Sequence, residues 1–229
     1  MKNLVVLSGA GISAESGIKT FRDADGLWEG HNVMEVASPQ GWKKNPELVL
    51  DFYNQRRRQL KTVIPNEAHK ILAQLQQFFN VKIITQNVDD LHERAGSQNV
   101  LHLHGELLKA RSIANENKIL DWQDDIKIND KDENGHQIRP HIVWFGEMVP
   151  ALQEAAVTMT SADIVIIIGT SMQVYPAAGL IDYAPTNIPV YYIDLNPAKI
   201  YGSQHHIEII AKTASAGMKD LKEILIQKK

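Results

Sequence analysis

The sequence predicts an α/β protein, a Rossmann-like doubly wound parallel sheet accompanied by a smaller lobe. Three observations lead there. The apolar run Leu4-Val5-Val6-Leu7 passes directly into Ser8-Gly9-Ala10-Gly11-Ile12, the pattern of a buried strand entering a glycine turn. Further β-branched runs at Val81–Thr85, Val100–Leu103, Ile164–Ile168, Val190–Ile193 and Ile207–Ile210 are mostly continuous rather than alternating, which suits strands covered on both faces. Stretches of helical patterning lie between them, so strand and helix alternate along the chain.

Taken in order, the first strand ends in a turn where Gly9 and Gly11 permit positive φ and carry no Cβ. Backbone N–H groups and the start of the following helix can then close on a pyrophosphate. The spacing departs from G-x-G-x-x-G, because Ala14 stands at the third glycine position and the next glycine is Gly17. A tight turn without a ligand fits that spacing as well. Helices are expected over Pro46–Leu60, Glu67–Phe79, Ala151–Thr160 and Ser215–Lys229. Residues 31–79, mostly helical, and 109–139, polar and rich in Asp, Asn and Lys, break the alternation and are expected to pack together as the smaller lobe. Within the second stretch, Ile126-Lys127-Ile128 and His136-Gln137-Ile138 flank Asn134-Gly135, a hairpin signal.

Length and composition bound the rest. A chain of 229 residues holds one large domain, or one large and one small. Its apolar share of 44% and charged share of 22% belong to an ordinary globular protein. With 24 Lys and Arg against 27 Asp and Glu, the net charge of −3 gives no general attraction to nucleic acid or to an anionic membrane. Cysteine is absent, which excludes disulfides, a thiolate nucleophile and Cys-ligated zinc. The apolar stretch after Met1-Lys2-Asn3 is too short for a signal-peptide core or a membrane span, so a cytoplasmic protein is expected. The oligomeric state is left open, a monomer being compatible with the sequence.

In a doubly wound sheet, ligands sit beyond the carboxyl ends of the strands, so the polar residues there carry the functional signal. The run 81–85 ends in Gln86-Asn87-Val88-Asp89-Asp90-Leu91-His92, where amides and carboxylates suit ribose hydroxyls and a carboxamide. Asn87 and Asp89 read as ligand groups and Asp90 as a helix cap. Next comes Leu101-His102-Leu103-His104-Gly105-Glu106, whose alternation puts both histidines on one face. One of them suits a general base, the other a structural role, and periodicity does not say which. Gly169-Thr170-Ser171 and Asp194-Leu195-Asn196-Pro197 end two further strands and read as phosphate or ribose contacts, or as turns into helices.

Taken together, GAGISAESGIKTFR (9–22), TQNVDDLHERAG (85–96), HLHGE (102–106), VWFGE (143–147), GTSMQVYPA (169–177) and DLNP (194–197) resemble the sirtuin family of NAD-dependent protein deacylases, in order over essentially the whole chain. The resemblance implies a Rossmann-like NAD-binding domain from residues 1–30, 80–108 and 140–229, with a small lobe from 31–79 and 109–139. Acyl-lysine protein substrates would enter between the two. His104 then matches the catalytic base, before the glycine of the family's H-G pair, and His102 becomes structural. Gly9, Ala10, Gly11, Ile12, Ser13, Glu15, Ser16, Gly17, Phe21, Arg22 and Trp28 match the cofactor loop, with Ala10, Phe21 and Arg22 at the nicotinamide end. Gln86, Asn87, Val88 and Asp89 match nicotinamide and ribose contacts. Gly169, Thr170 and Ser171 would take phosphate or ribose, Leu195, Asn196 and Pro197 the adenosine side, and Ala214 the adenine. Val143, Trp144, Phe145 and Gly146 would pair with the substrate as an added strand. The implied reaction consumes NAD. Nicotinamide leaves, the acyl oxygen attacks the ribose carbon, His104 removes a ribose hydroxyl proton, and water releases lysine and an O-acyl-ADP-ribose. Phe21 would shield the reacting centre from water.

Tyr53 and Arg56 stand three apart in a helical segment, where a phenol beside a guanidinium suits a carboxylate. The Y-x-x-R spacing resembles the sirtuin subclass that removes succinyl and malonyl groups, and Ala37 matches the small residue that widens its acyl pocket. The expected function is therefore deacylation of negatively charged acyl-lysines, with deacetylation as a second activity. Mono-ADP-ribosyl transfer and a non-catalytic NAD or ADP-ribose sensor are the alternatives. Many relatives hold a structural zinc with four cysteines in the small lobe. Here Ser112 and Asn115 stand where the first pair would be, so a degenerate, zinc-less ribbon is expected, with no metal. Ile113, Leu120, Trp122, Ile126 and Ile138 are expected to supply an apolar cluster in its place.

Overall fold

The computed structural model describes residues 1–19, 27–198 and 204–227. Its strands are β1 (Asn3–Ser8), β2 (Leu27–Trp28), β3 (His31–Asn32), β4 (Asn80–Thr85), β5 (Val100–His102) and β6 (Gly105–Ser112). They continue with β7 (Ile119–Asp121), β8 (Ile138–Ile142), β9 (Ile164–Ile168), β10 (Val190–Ile193) and β11 (Ile207–Ile210). The α-helices are α1 (Val33–Val36), α2 (Pro39–Lys44), α3 (Pro46–Leu60), α4 (Glu67–Leu75), α5 (Leu91–Arg94), α6 (Leu152–Thr160) and α7 (Ala214–Gln227). Among the described residues there are also two 3-10 helices, Ala10–Ser16 and Ala177–Tyr183.

Six strands form one parallel sheet in the order β11-β10-β9-β1-β4-β5. The chain order thus reverses at β1, between β4 and β9, which is the topological switch point of a doubly wound sheet and opens a crevice at its carboxyl edge. The continuous apolar patterning follows from cover on both faces. Leu4, Val6, Ile83, Ile166 and Ile193 face one cluster completed by α4 and α7, while Val5, Leu7, Ile84, Val165 and Tyr192 face another completed by α6 and the 3-10 helix at 177–183. Short polar residues start the helices, as their competition for backbone N–H groups dictates. Ser38 Oγ accepts from Gly41 N (2.9 Å), Asn45 Oδ1 from Leu48 N (3.1 Å) and Asn66 Oδ1 from Ala68 N (3.0 Å).

The segment 105–142 builds a second, antiparallel sheet, β7-β6-β8, and α3 packs against it. Asn54 ties the two together, donating to Ile126 O (2.8 Å) and accepting from Ile126 N (2.9 Å), and Arg57 Nε donates to Leu107 O (3.1 Å). In this lobe Leu50, Ala110, Ile126 and Ile138 form a buried cluster edged by Trp42, Leu120 and Trp122. Ile113 does not join it: at 52% exposure it faces water, one residue past the end of β6.

Other expectations shift for local reasons. Helix α4 stops at Leu75 because Phe78 N and Phe79 N both turn back to Leu75 O, which closes the chain into a turn before β4. Asn134-Gly135 does form a turn, with Asp132 N donating to His136 O (2.8 Å), but Ile126–Ile128 is not its partner strand. The residues after the turn pair instead with β6, Ser112 opposite Ile138, leaving only a bridge between Lys131 and Gln137. The segment after the glycine turn is a 3-10 rather than an α-helix. Among the described residues, no helix is long and apolar enough to cross a membrane, and no group of three or more His, Asp or Glu could hold a metal.

Candidate active site

The crevice at the switch point is built backbone against backbone. Gly9 N donates to Ile168 O (3.0 Å) and Gly11 N to Gly169 O (2.7 Å), so the loop after β1 lies on the loop after β9. A Cβ at Gly11 would stand 2.7 Å from Gly169 Cα, and one at Gly169, whose φ is +63°, would stand 2.1 Å from Ile12 N. Only glycine allows this approach. Ile12 itself points into the core, so it offers the site its main chain alone.

From the opposite side come the residues after β4. Ser13 Oγ donates to Asp89 Oδ2 (2.9 Å) and accepts from Asn87 Nδ2 (3.2 Å), linking the 3-10 helix to the β4–α5 loop. Burial pushes the Asp89 carboxyl up to about 6, against the lowering effect of the Leu91 N–H and Ser13 hydrogen bonds. The Asp89 carboxylate, and not Asp90, caps α5: Oδ1 accepts from Leu91 N (3.1 Å), while Asp90 pairs with Arg94 (3.5 Å). The cap goes to the residue whose side chain is buried under the helix start. Gln86 Nε2 donates to Thr170 Oγ1 (3.0 Å), which draws the ends of β4 and β9 together.

The two histidines separate by environment. His104 Nδ1 lies 3.0 Å from Gln86 O and His102 Nδ1 2.9 Å from Asn87 O. A carbonyl only accepts, so both Nδ1 atoms carry a proton. His102 Nε2 meets Glu93 Oε1 at 2.7 Å; although burial lowers its pKa, Glu93 outweighs that and raises it. Burial lowers the His104 pKa, and the bond to Gln86 O only partly offsets this. His104 is therefore the neutral ring, with its proton held on Nδ1 and the Nε2 lone pair left to accept one.

A third group of site residues gathers under α3. Ala37, Tyr53 and Trp144 share one buried cluster, with Phe52 and Val36, and Phe145 N donates to Ala37 O (3.0 Å). Trp144 Nε1 donates to the Tyr53 hydroxyl (3.1 Å), and burial pushes that phenol up, so it stays protonated. Arg56 Nη1 donates to Phe52 O (2.9 Å), its guanidinium stacks 4.2 Å above the Phe52 ring, and its Nε is buried with no partner among the described residues. Trp28 packs edge-on to Phe52 (4.9 Å) and Tyr53 (6.0 Å), on this side of the site.

Val143–Gly146 is not a strand. The N–H groups of Val143, Trp144 and Phe145 are taken by His104 O, Glu147 and Ala37 O, so they are not free to pair with an added strand. Glu15 accepts from Ser215 N (2.8 Å), which brings Ala214, the first residue of α7, to the 3-10 helix. Ser16 Oγ accepts from Asn66 Nδ2 (3.0 Å), and Val88 O from Leu107 N (2.8 Å). Leu195 and Asn196 are exposed, Pro197 half-buried. Phe21 and Arg22 lie outside the described residues.

Sequence reasoning missed the support around this site. Glu147 bridges Arg111 (3.0 Å) and Arg139, and the Arg139 guanidinium stacks 3.8 Å over Trp144. At the carboxyl ends of β1 and β4, Ser8 Oγ joins Thr85 Oγ1 (2.9 Å) to His92 Nε2 (2.9 Å). Only the pattern of charged residues in apolar surroundings signalled the first, and nothing local signalled the second.

A model of the Sir2 family matches residues 9–176, from the glycine loop to the loop after β9. The chain belongs to the Sir2 family. A curated relative from Helicobacter pylori, named NAD-dependent protein deacylase, is 59% identical over 227 residues, 99% of each chain. A relative of that name from Bacteroides thetaiotaomicron is 52% identical over 232 residues, again 99% of each. Among solved structures, a Sir2 homolog–NAD complex superposes with a TM-score of 0.87 at 38% identity, covering 99% of this chain and 90% of that one. The glycine cradle and the polar groups of Ser13, Gln86, Asn87 and Thr170 at the switch point fit a dinucleotide, and this sirtuin uses NAD as co-substrate.

Proposed function

We propose that this NAD-dependent protein deacylase acts on lysines of proteins that carry succinyl or malonyl groups, with acetyl-lysine as a second substrate. One observation carries the reading. Arg56, mostly buried, keeps its Nε without a partner among the described residues, three positions along α3 from Tyr53, whose hydroxyl accepts from Trp144. An indole only donates, so Tyr53 retains its own O–H to give, and Arg56 Nε with Nη2 forms the fork that receives a carboxylate. Ala37 packs in the same buried cluster as Tyr53.

The division of labour follows. Bound NAD supplies an electrophilic ribose carbon when nicotinamide departs. The loops at Gly9–Gly11 and Gly169–Ser171 bind the phosphates and riboses, and Asn87 and Asp89 hold the nicotinamide end. His104 Nε2 accepts a ribose hydroxyl proton while Gln86 O fixes the ring. Tyr53 and Arg56 orient the acyl chain, and the backbone at 143–146 orients the lysine. We place the cleft between the sheet domain and the lobe of 31–79 and 109–139.

The test is Arg56→Met, assayed with matched succinyl- and acetyl-lysine peptides. Loss of charge-assisted bonds to a buried carboxylate should raise the KM for the succinyl peptide on the order of a hundredfold, far more than for the acetyl peptide. An unchanged KM for the succinyl peptide would overturn the assignment.

A further inference from the structure

Arg56 is not alone at the acyl end. Glu29 Oε2 lies 3.8 Å from Arg56 Nη2, and the two side chains are only 14% and 15% exposed. That distance carries attraction between charges but is too long for a hydrogen bond. The hydrogen bond of this carboxylate goes elsewhere, to Lys19 Nζ at 3.1 Å. Arg56 thus feels an internal carboxylate without being bonded to it, and its Nε has no partner among the described residues.

The location of Glu29 is unusual for its residue type. It is a central residue of the two-residue turn between β2 and β3, with φ +51° at Glu29 and +81° at Gly30. Turns with positive φ at both central positions favour Asn, Asp and Gly, whereas a glutamate there is strained. A side chain at a hairpin tip ordinarily faces water, yet this one turns inward to Arg56. The preceding Trp28 seats the hairpin on Phe52 and Tyr53, and so holds Glu29 against the acyl wall.

We infer that Glu29 is a specificity-determining residue: an internal carboxylate that competes with an anionic acyl group for Arg56 and sets how strongly the pocket prefers charged over neutral acyl chains. This rests on the carboxylate reading of Tyr53 and Arg56. An incoming acyl carboxylate and Glu29 repel each other, and Lys19 retains Glu29 when Arg56 changes partner. A neutral acyl chain meets no such competition. Glu29 therefore restrains the preference that Arg56 creates.

The experiment compares kcat/KM for two peptides that differ only in succinyl-lysine against its neutral isostere, succinamoyl-lysine. Glu29→Gln should raise the succinyl-to-succinamoyl ratio about fivefold, through a lower KM for the succinyl peptide, the size expected for one partly screened charge pair. Lys19→Met, which removes the hydrogen-bond donor to Glu29 and leaves it facing Arg56, should lower the ratio. An unchanged or lower ratio in Glu29→Gln, with the ratio collapsing in Arg56→Met, overturns the role of Glu29 and leaves the acyl pocket standing. A ratio unaffected by Arg56→Met removes both. Should Glu29→Gln melt too early to assay, Lys19→Met decides, and an unchanged ratio there counts against the inference.

Discussion

At the scale of single residues, the separation of His102 from His104 decides the chemistry. Two histidines two positions apart, each giving its Nδ1 proton to a neighbouring carbonyl of the same loop, differ only in what stands at Nε2. Glu93 makes one a cation-favouring ring, and no charged group among the described residues does so for the other. A ring already paired at Nε2 cannot accept a proton there, whereas a neutral one can. His104→Ala should therefore lower kcat on the order of a hundredfold or more with nicotinamide release from NAD as the readout, while NAD binding by calorimetry is retained. Retained turnover would remove His104 from the reaction. Periodicity had left the two equivalent, because a strand pattern reports which face a side chain takes and not what it meets on that face.

At the scale of elements, the cofactor cradle is a contact between two loops. Gly169 lies far in sequence from Gly11, and each forbids a side chain on the other. Gly169→Ala combines a left-handed backbone with a Cβ 2.1 Å from Ile12 N, so the loops must separate. We expect a stability loss of roughly 3 kcal/mol by chemical denaturation, and a weaker NAD affinity, since the same separation widens the cradle. Unchanged stability would mean the loop relaxes freely. The glycine turn after β1 was legible locally, as a strand meeting glycines. Its partner loop read equally as a turn into a helix, because close approach is a property of pairs of elements. The antiparallel sheet behaves likewise: the Asn134-Gly135 turn was legible, but its strand found a better partner in β6. Local turn chemistry sets where the chain reverses, not which hydrogen-bonding edge lies within reach.

At the scale of the whole molecule, pH acts through buried groups on the helices as well as in the crevice. His69 and His92 are buried with their rings 4.9 Å apart, and both His69 nitrogens lack a partner among the described residues. Burial lowers the His69 pKa from 6.5 to about 4, so the fold holds it neutral where the unfolded chain protonates it. This contribution is fully present above pH 6.5 and is lost as pH falls toward 4. Asp89, raised to about 6, works in the opposite sense and favours the fold as pH falls through 6. His69→Leu isolates the first effect. Between pH 7 and 4 the variant should lose less stability than the parent, by on the order of 2–3 kcal/mol in urea titrations. Parallel pH profiles would show that His69 does not titrate between those limits.

The sequence by itself determined the parallel sheet, its strands nearly to the residue at Ile164–Ile168, Val190–Ile193 and Ile207–Ile210, and helix α3 from Pro46 to Leu60. These follow from apolar period and capping, which act within a few residues. Only the tertiary structure decided that Asp89 rather than Asp90 caps α5, that Ile113 stays outside the apolar cluster, and that Glu29 faces Arg56. Each depends on burial and on partners brought from distant segments, and neither quantity exists until the chain has folded.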